Sequence, residues 1–453
     1  DQYFSSGKFL SDLTRRVSFE TVAEGPDSHP ALLRYLQDEI TPALSRMGFE
    51  CTVIANTLKD GPPMLLAKRI EDPSLPTVLT YGHGDVVSGQ THAWREGLKP
   101  WTLTREQDRW YGRGCADNKG QHSINLAGLQ SAIEARKGKL GYNVTVLLEM
   151  GEEVGSPGLR ETCEAHADQL KAQLFIASDG PRLHAAIPTL FLGSRGAANF
   201  TLRMRARDRA FHSGNWGGAL LNPAIVLSHA LASLVDARGR LMVDELRPAR
   251  LDPSVRRILE GVEIGGDTDD PALEQGWGEP GLSAAERLMG WNTLEILAFG
   301  SGNPERPVNA IPGSAHAHCQ LRFIVGTPFD RLAEILRSHL DARGFQAIDI
   351  EVARAAPASR LDPDSPWVSW ASQSLSASTR KKTVVLPNLA GTIPNDVFAD
   401  VLGLPTIWVP HSYPACAQHA PNEHLLGPVA REGLAIMAGL YWDLGESQQT
   451  PWN

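Results

Sequence analysis

Between residues 77 and 177 short apolar runs alternate with segments of helical spacing, and this rhythm restricts the fold more than any other feature. Residues 77–81 form an apolar run stopped by Gly82. Residues 119–136 carry Leu126, Leu129 and Ile133 at helical spacing. Residues 143–148 are β-branched or Leu after the first Asn, which predicts a strand. Residues 157–170 read as a helix with Pro157 in its first turn, and residues 174–177 as another strand. This order predicts an α/β unit: a mixed, mostly parallel sheet with helices on both faces.

The pattern changes at Gly193-Ser194-Arg195-Gly196. Residues 198–205 alternate as a half-exposed strand, and residues 222–237 form a helix with Leu227, Leu231 and Leu234 on one side. Residues 245–310 read as loop-rich. In residues 316–325, Ala317, Cys319, Leu321 and Phe323 take one face, and His316, His318, Gln320 and Arg322 the other. A second helix carries Leu332, Ile335, Leu336 and Leu340, and residues 348–352 form a third strand. Residues 193–358 are therefore expected as an inserted α+β sandwich, between 1–192 and 359–453 of the larger domain. At 453 residues the chain is long enough for both.

The formal net charge of −9 argues against a nucleic-acid groove or an anionic-membrane surface. No run reaches the ~18 apolar residues of a membrane helix. Residues 1–4 lack a basic-then-apolar leader pattern. The five cysteines are scattered and odd in number, which favours a reduced, cytoplasmic setting over a disulfide framework.

His83 and Asp85 follow the first strand, and Asp117 immediately precedes the 119–136 helix. Glu152 and Glu153 follow the next strand, and Asp179 the one after. Four sets of donors thus fall at strand ends or adjoining loops, where open α/β sheets hold ligands. Acids converging there repel one another unless cations neutralise them. Mixed imidazole and carboxylate donors suit zinc, and also manganese or cobalt. No H-E-x-x-H, P-loop, G-x-S-x-G or G-x-G-x-x-G competes. Each carboxylate alone reads as a cap or loop charge; the coincidence of four sites carries the inference.

The ordered motifs Gly82-His83-Gly84-Asp85, Tyr111-Gly112-Arg113-Gly114 through Asp117-Asn118-Lys119-Gly120, Glu149-x-x-Glu152-Glu153, Ser178-Asp179 and His419-Ala420-Pro421-Asn422-Glu423 resemble a known group. It is the dinuclear zinc metallopeptidase family of carnosinases, aminoacylases, succinyl-diaminopimelate desuccinylase and carboxypeptidase G. Phe211-His212-Ser213-Gly214 is most similar to its carnosinase-like dipeptidase branch. The resemblance implies two divalent ions, zinc first, with Asp117 bridging, His83 and Asp179 on one and Glu153 and His419 on the other. It implies Asp85 as partner of the second ring N–H of His83, and a cis peptide after Asp117. It implies Glu152 as general base toward a metal-bridging hydroxide. It further implies a lid and dimerisation domain in a homodimer, with His212 reaching the partner's site and Asn309 assisting. Arg322, Gly391 and Thr392 would take the free carboxylate of a dipeptide or N-acyl amino acid. The implied activity is amide hydrolysis by a peptidase, or alternatively by an N-acyl-amino-acid deacylase, with a non-catalytic binding protein as the third reading. His411 is the one rival to His419; Cys115, Trp94, Trp101 and Trp110 read as packing, and the remaining histidines as structural.

Overall fold

A computed structural model describes residues 2–25, 28–266, 270–446 and 450–452. The larger unit is built on an eight-stranded sheet. Across it lie Glu50–Ile54, Met64–Arg69, Asn143–Glu149, Thr77–His83, Leu174–Ala177, Thr406–Trp408, Thr189–Phe191 and Val384–Leu386. The middle strands, from Asn143–Glu149 to Thr406–Trp408, are mutually parallel. Antiparallel pairs join Met64–Arg69 and Thr189–Phe191 to them and Glu50–Ile54 to Met64–Arg69, while Val384–Leu386 runs parallel to Thr189–Phe191.

Successive strand residues enter different cores, because side chains alternate across a sheet. Val144, Val146, Leu148, Ile176 and Ile407 pack with helices Lys119–Ala135 and Gly427–Leu444, through Ile124, Leu129, Met437 and Leu440. Leu147, Leu79, Phe175, Ala177 and Trp408 pack on the opposite side with Leu159, Cys163 and Phe398. Both faces are therefore dry, which explains near-continuous apolar strands.

The smaller unit has a four-stranded antiparallel sheet ordered Thr293–Gly300, Ser314–Phe323, Gly196–Arg205, Ile348–Val352. Gly196 faces Phe323 and the pairing continues without slip to Arg205 opposite Ser314. Ala317, Cys319, Leu321 and Phe323 are buried as expected, under Leu227, Leu231 and Leu234 of Pro223–Leu234 and Leu332, Ile335, Leu336 and Leu340 of Leu332–Asp341.

Two expectations are corrected. Residues 157–170 are not one helix but two, Leu159–Ala165 and Ala167–Leu170, interrupted at His166. Left-handed Gly158 (φ 80°) delays the start. Residues 245–310 are not merely loops: they contain helices Pro253–Leu259 and Ala284–Gly290 and the edge strand Thr293–Gly300. That strand has no period-two contrast, because a register shift between Ile296 and Ala298 breaks it and Ile296, Leu297 and Phe299 are all exposed. The two helices pack on the large sheet's second core, through Val255, Leu259, Ala285 and Met289.

Among the described residues no helix is long and apolar enough to cross a membrane. Helices Lys119–Ala135 and Gly427–Leu444 pack tightly at Gly128, where a Cβ would lie 2.4 Å from Met437 Cβ and 2.9 Å from the Ala438 nitrogen. Gly128→Ala is expected to lower stability by about 1–3 kcal/mol through overpacking, read as a lower urea midpoint at unchanged slope.

Candidate metal centre

His83 is the last residue of strand Thr77–His83 and is fully buried. Asp117 precedes helix Lys119–Ala135 and is joined to Asn118 by a cis peptide, as the resemblance implied. Glu152 and Glu153 form a short turn after strand Asn143–Glu149. Asp179 lies two residues past strand Leu174–Ala177, and His419 in the loop before strand His424–Leu426. Three of these stretches follow parallel strands that end at this edge, and the Asp117 and His419 loops meet them there.

The Asp117 carboxylate stands between two imidazoles. Its Oδ1 is 3.1 Å from His83 Nε2, and its Oδ2 is 2.8 Å from His419 Nε2. Asp179 Oδ2 lies 3.5 Å from His83 Nε2, on the first side. Glu153 Oε2 lies 3.0 Å from His419 Nε2, on the second. His83, Asp117 and Glu153 can each offer an atom such that all lie within 4.8 Å.

Asp85 does more than the sequence indicated. His83 Nδ1 is 3.2 Å from the Asp85 main-chain oxygen and 3.4 Å from Oδ1, so the backbone oxygen is the nearer partner. The carboxylate instead accepts from the main-chain N–H groups of Glu152 (3.2 Å) and Glu153 (3.0 Å). One side chain thereby orients the Glu152–Glu153 turn beside His83. Gly84, between them, has no room for a side chain: a Cβ would lie 2.5 Å from the Tyr35 ring and 2.7 Å from Met150 Sδ.

The charges are strongly coupled. Burial pushes the Asp117 carboxyl up, but hydrogen bonds from His419 and His83 prevail and hold it far below its ordinary value. Burial, reinforced by the Asp117 charge, raises Glu153 to about 7. Burial also lifts Glu152 well above its ordinary value; His83 opposes this, while Asp179 and Asp117 add to it. Hydrogen bonds to Asp117 and Glu153 raise His419 to about 10. Burial works against the His83 imidazolium, yet its contacts with Asp117, Asp179 and Asp85 raise it well above 6.5. Glu153 Oε1 is buried without a hydrogen-bond partner. An orphaned carboxylate oxygen beside paired imidazoles and acids fits divalent cations.

The substrate-side candidates separate into two groups. Arg322 Nη1 donates to Thr392 Oγ1 at 2.7 Å, with Gly391 adjacent. His212 and Asn309 are exposed on the ribbon formed by Phe211–His212 and Ala310–Ile311. Their hydrogen bonds remain local: His212 Nδ1 accepts from Gly214, and the Asn309 carbonyl from Ser213. His411, the rival to His419, is fully buried beside Gly433, and neither of its ring nitrogens has a hydrogen-bond partner among the described residues. Cys115 is buried and its thiol donates to the Trp110 carbonyl, consistent with packing.

Two residues at the site escaped the sequence reading. Gln418 Nε2 donates to Asp117 Oδ2, and only its position beside His419 hinted at this. Arg195, buried, donates through Nε to the Ala390 carbonyl at 3.1 Å. Burial and the nearby Arg322 charge lower it to about 10.

A shared carboxylate between two imidazoles at the strand ends of an α/β sheet fits a class, the metal-dependent hydrolases. The sequence profile of peptidase family M20/M25/M40 matches residues 79–443, and the chain belongs to that family. The cysteinylglycine-S-conjugate dipeptidase of Corynebacterium striatum is 27% identical over 400 residues, 85% of this chain and 83% of that protein. The Cys-Gly metallodipeptidase dug1 of Schizosaccharomyces pombe is 30% identical over 365 residues, 74% and 72% of the two chains. These relatives and the β-Ala-His dipeptidases bear out the resemblance to the carnosinase-like branch. Among solved structures, the M20 metallo-carboxypeptidase Sso-CP2 from Sulfolobus solfataricus matches with a TM-score of 0.79 at 24% identity, over 96% of this chain and 98% of that one. Human carnosine dipeptidase 1 matches with a TM-score of 0.76 at 21% identity, over 98% of both chains. At these identities the likeness establishes the fold.

The raised Glu153 binds a proton in the folded metal-free chain that it loses on unfolding near neutral pH. Its contribution to stability is present below pH ~4.5 and lost as pH rises through about 7. Divalent cations, which bind the ionised form, should reverse that loss. Adding zinc, manganese or cobalt to chelator-treated protein should raise the melting temperature more at pH 8 than at pH 5.5. An equal shift at both values, or none, would remove the cation assignment.

Proposed function

We propose that this chain is a two-metal dipeptidase, hydrolysing the amide bond of a dipeptide that carries a free α-carboxylate. The observation that carries the reading is Asp117, with one oxygen toward His83 and the other toward His419. His83, Asp117 and Asp179 would hold one cation, and Asp117, Glu153 and His419 the second, with zinc ahead of manganese and cobalt. Bound there, the cations would lower the pKa of water and polarise the scissile carbonyl.

The chain's own groups do the rest. Glu152 takes the proton of the attacking water and returns one to the leaving amine, a role its raised pKa supports. Asp85 holds the turn that aims it. Arg322, steadied by Thr392 beside Gly391, receives the substrate carboxylate as a guanidinium fork. Residues 193–358 form the lid and dimerisation unit, between 1–192 and 359–453 of the catalytic domain. His212 donates to the carbonyl oxygen as charge develops, with Asn309 assisting, from the partner of a homodimer. The unpaired edge strand Thr293–Gly300, with Leu297 and Phe299 exposed, supports a second copy as that partner. The dipeptidase names of the relatives support the substrate class. Five free cysteines fit a cytosolic setting.

Metal-supplemented enzyme should cleave members of a dipeptide panel, and Glu152→Gln should lose about 10²–10⁴-fold in kcat while retaining both metals. Cleavage of N-acyl amino acids alone would make it a deacylase; full activity of Glu152→Gln would sink the base assignment. His212→Ala and Glu152→Ala, each inactive alone, should regain partial activity when mixed into heterodimers. Lack of complementation would place the action of His212 within its own subunit or nowhere.

A further inference from the structure

Two residues of the ordered motifs have no role in that chemistry: Arg113, in Tyr111-Gly112-Arg113-Gly114, and Glu423, which closes His419-Ala420-Pro421-Asn422-Glu423. Each is only 1% exposed, and they pair with each other, Arg113 Nη1 donating to Glu423 Oε2 at 2.7 Å. Glu423 also accepts from the Asp117 loop along its whole length. Oε2 takes the Gly114 N–H at 3.1 Å, and Oε1 takes those of Ala116 at 2.9 Å and Asp117 at 3.1 Å. The Glu423 main-chain oxygen accepts from the Gly112 N–H at 3.0 Å. Every residue from Gly112 to Asp117 except Cys115 thus donates to Glu423.

We propose that Glu423, with Arg113 as its counter-charge, is a positioning residue that fixes the Asp117 carboxylate between the two half-sites. The inference rests on the metal assignment made above. Asp117 must offer its oxygens in two directions, so small rotations of its backbone misplace both at once. A buried carboxylate holds that backbone well, because charge-assisted hydrogen bonds are roughly twice as strong as neutral ones. It is tolerable in the interior because Arg113 is paired with it. Arg113 also reaches the first strand's loop, donating through Nε to the Ser88 carbonyl at 3.2 Å. Glu423 stands four residues after His419, so the same side chain sets the distance between two candidate ligands whose positions differ by 302. A pair serving packing alone needs none of this alignment.

The test is zinc titration of chelator-treated protein against a chromophoric chelator. Wild type should take up two zinc ions; if it takes up none, the metal assignment itself fails. Glu423→Gln turns one acceptor oxygen into a donor, facing either Arg113 and Gly114 or the Ala116 and Asp117 N–H groups. It should fold, by circular dichroism, yet bind zinc about 10- to 100-fold more weakly, the usual effect of losing a ligand's supporting contact. Glu39→Gln is the comparison: Glu39 is also buried and also bonded to arginines, Arg15 and Arg16. It should lower the melting temperature and leave zinc affinity unchanged. Wild-type affinity in Glu423→Gln, or an equal loss in Glu39→Gln, overturns the proposal. Should Glu423→Gln fail to fold, Arg113→Lys is titrated instead. A weaker affinity supports the positioning role, and an unchanged one overturns it.

Discussion

The structure is organised around like charges brought together where water is scarce. Asp117, Asp179 and Glu153 approach two imidazoles at one sheet edge, and Asp85 bonds both to His83 and to the turn that carries Glu152. Such a group is unfavourable on its own, since burial penalises each charge and neighbouring acids add to the penalty. The scaffold contains no basic side chain in contact with Glu152 or Glu153 other than His419, among the described ion pairs. Neutralisation is left to the site's own occupants, and this makes cation binding part of the architecture.

Around that group the protein supplies directional restraint. Asp85 holds a turn through two N–H groups, Glu423 holds a loop, and Asn118 Nδ2 reaches the Ser178 carbonyl at 2.8 Å beside Asp179. His122 lies beneath, its Nδ1 3.0 Å from the His83 carbonyl and its Nε2 2.7 Å from the Tyr35 hydroxyl. Burial, with Arg16 and His83 nearby, drives its pKa far down, which keeps it neutral and suited to this uncharged link. Apart from His83, which ends a strand, the candidate ligands therefore stand on loops, several of them tied by such bonds.

What could be read from residues alone follows from locality. The candidate donors His83, Asp117, Glu153, Asp179 and His419 can be picked out of the sequence because each adjoins a strong local pattern or a motif. The lid strand Ser314–Phe323 was legible because alternation sorts Ala317 to Phe323 from His316 to Arg322. The edge strand Thr293–Gly300 was not, since a bulge and exposed apolar residues erase its period. The break at His166 was hidden because Leu159 and Leu170 both enter the same core and preserve a helical look. Gln418, and the grip of Asp85 on Glu152 and Glu153, depend on tertiary approach that carries no local signature.

The alternation of the central strands between two interiors has a wider consequence. A single inserted or deleted residue within Asn143–Glu149 or Leu174–Ala177 would exchange the contents of both hydrophobic layers together, with no water-facing side to absorb the error. Evolutionary change in such a protein is thereby confined to the connecting loops at the sheet's rim. Most of the candidate ligands stand on those loops, so the surroundings of the site can vary in length while the framework stays almost unaltered.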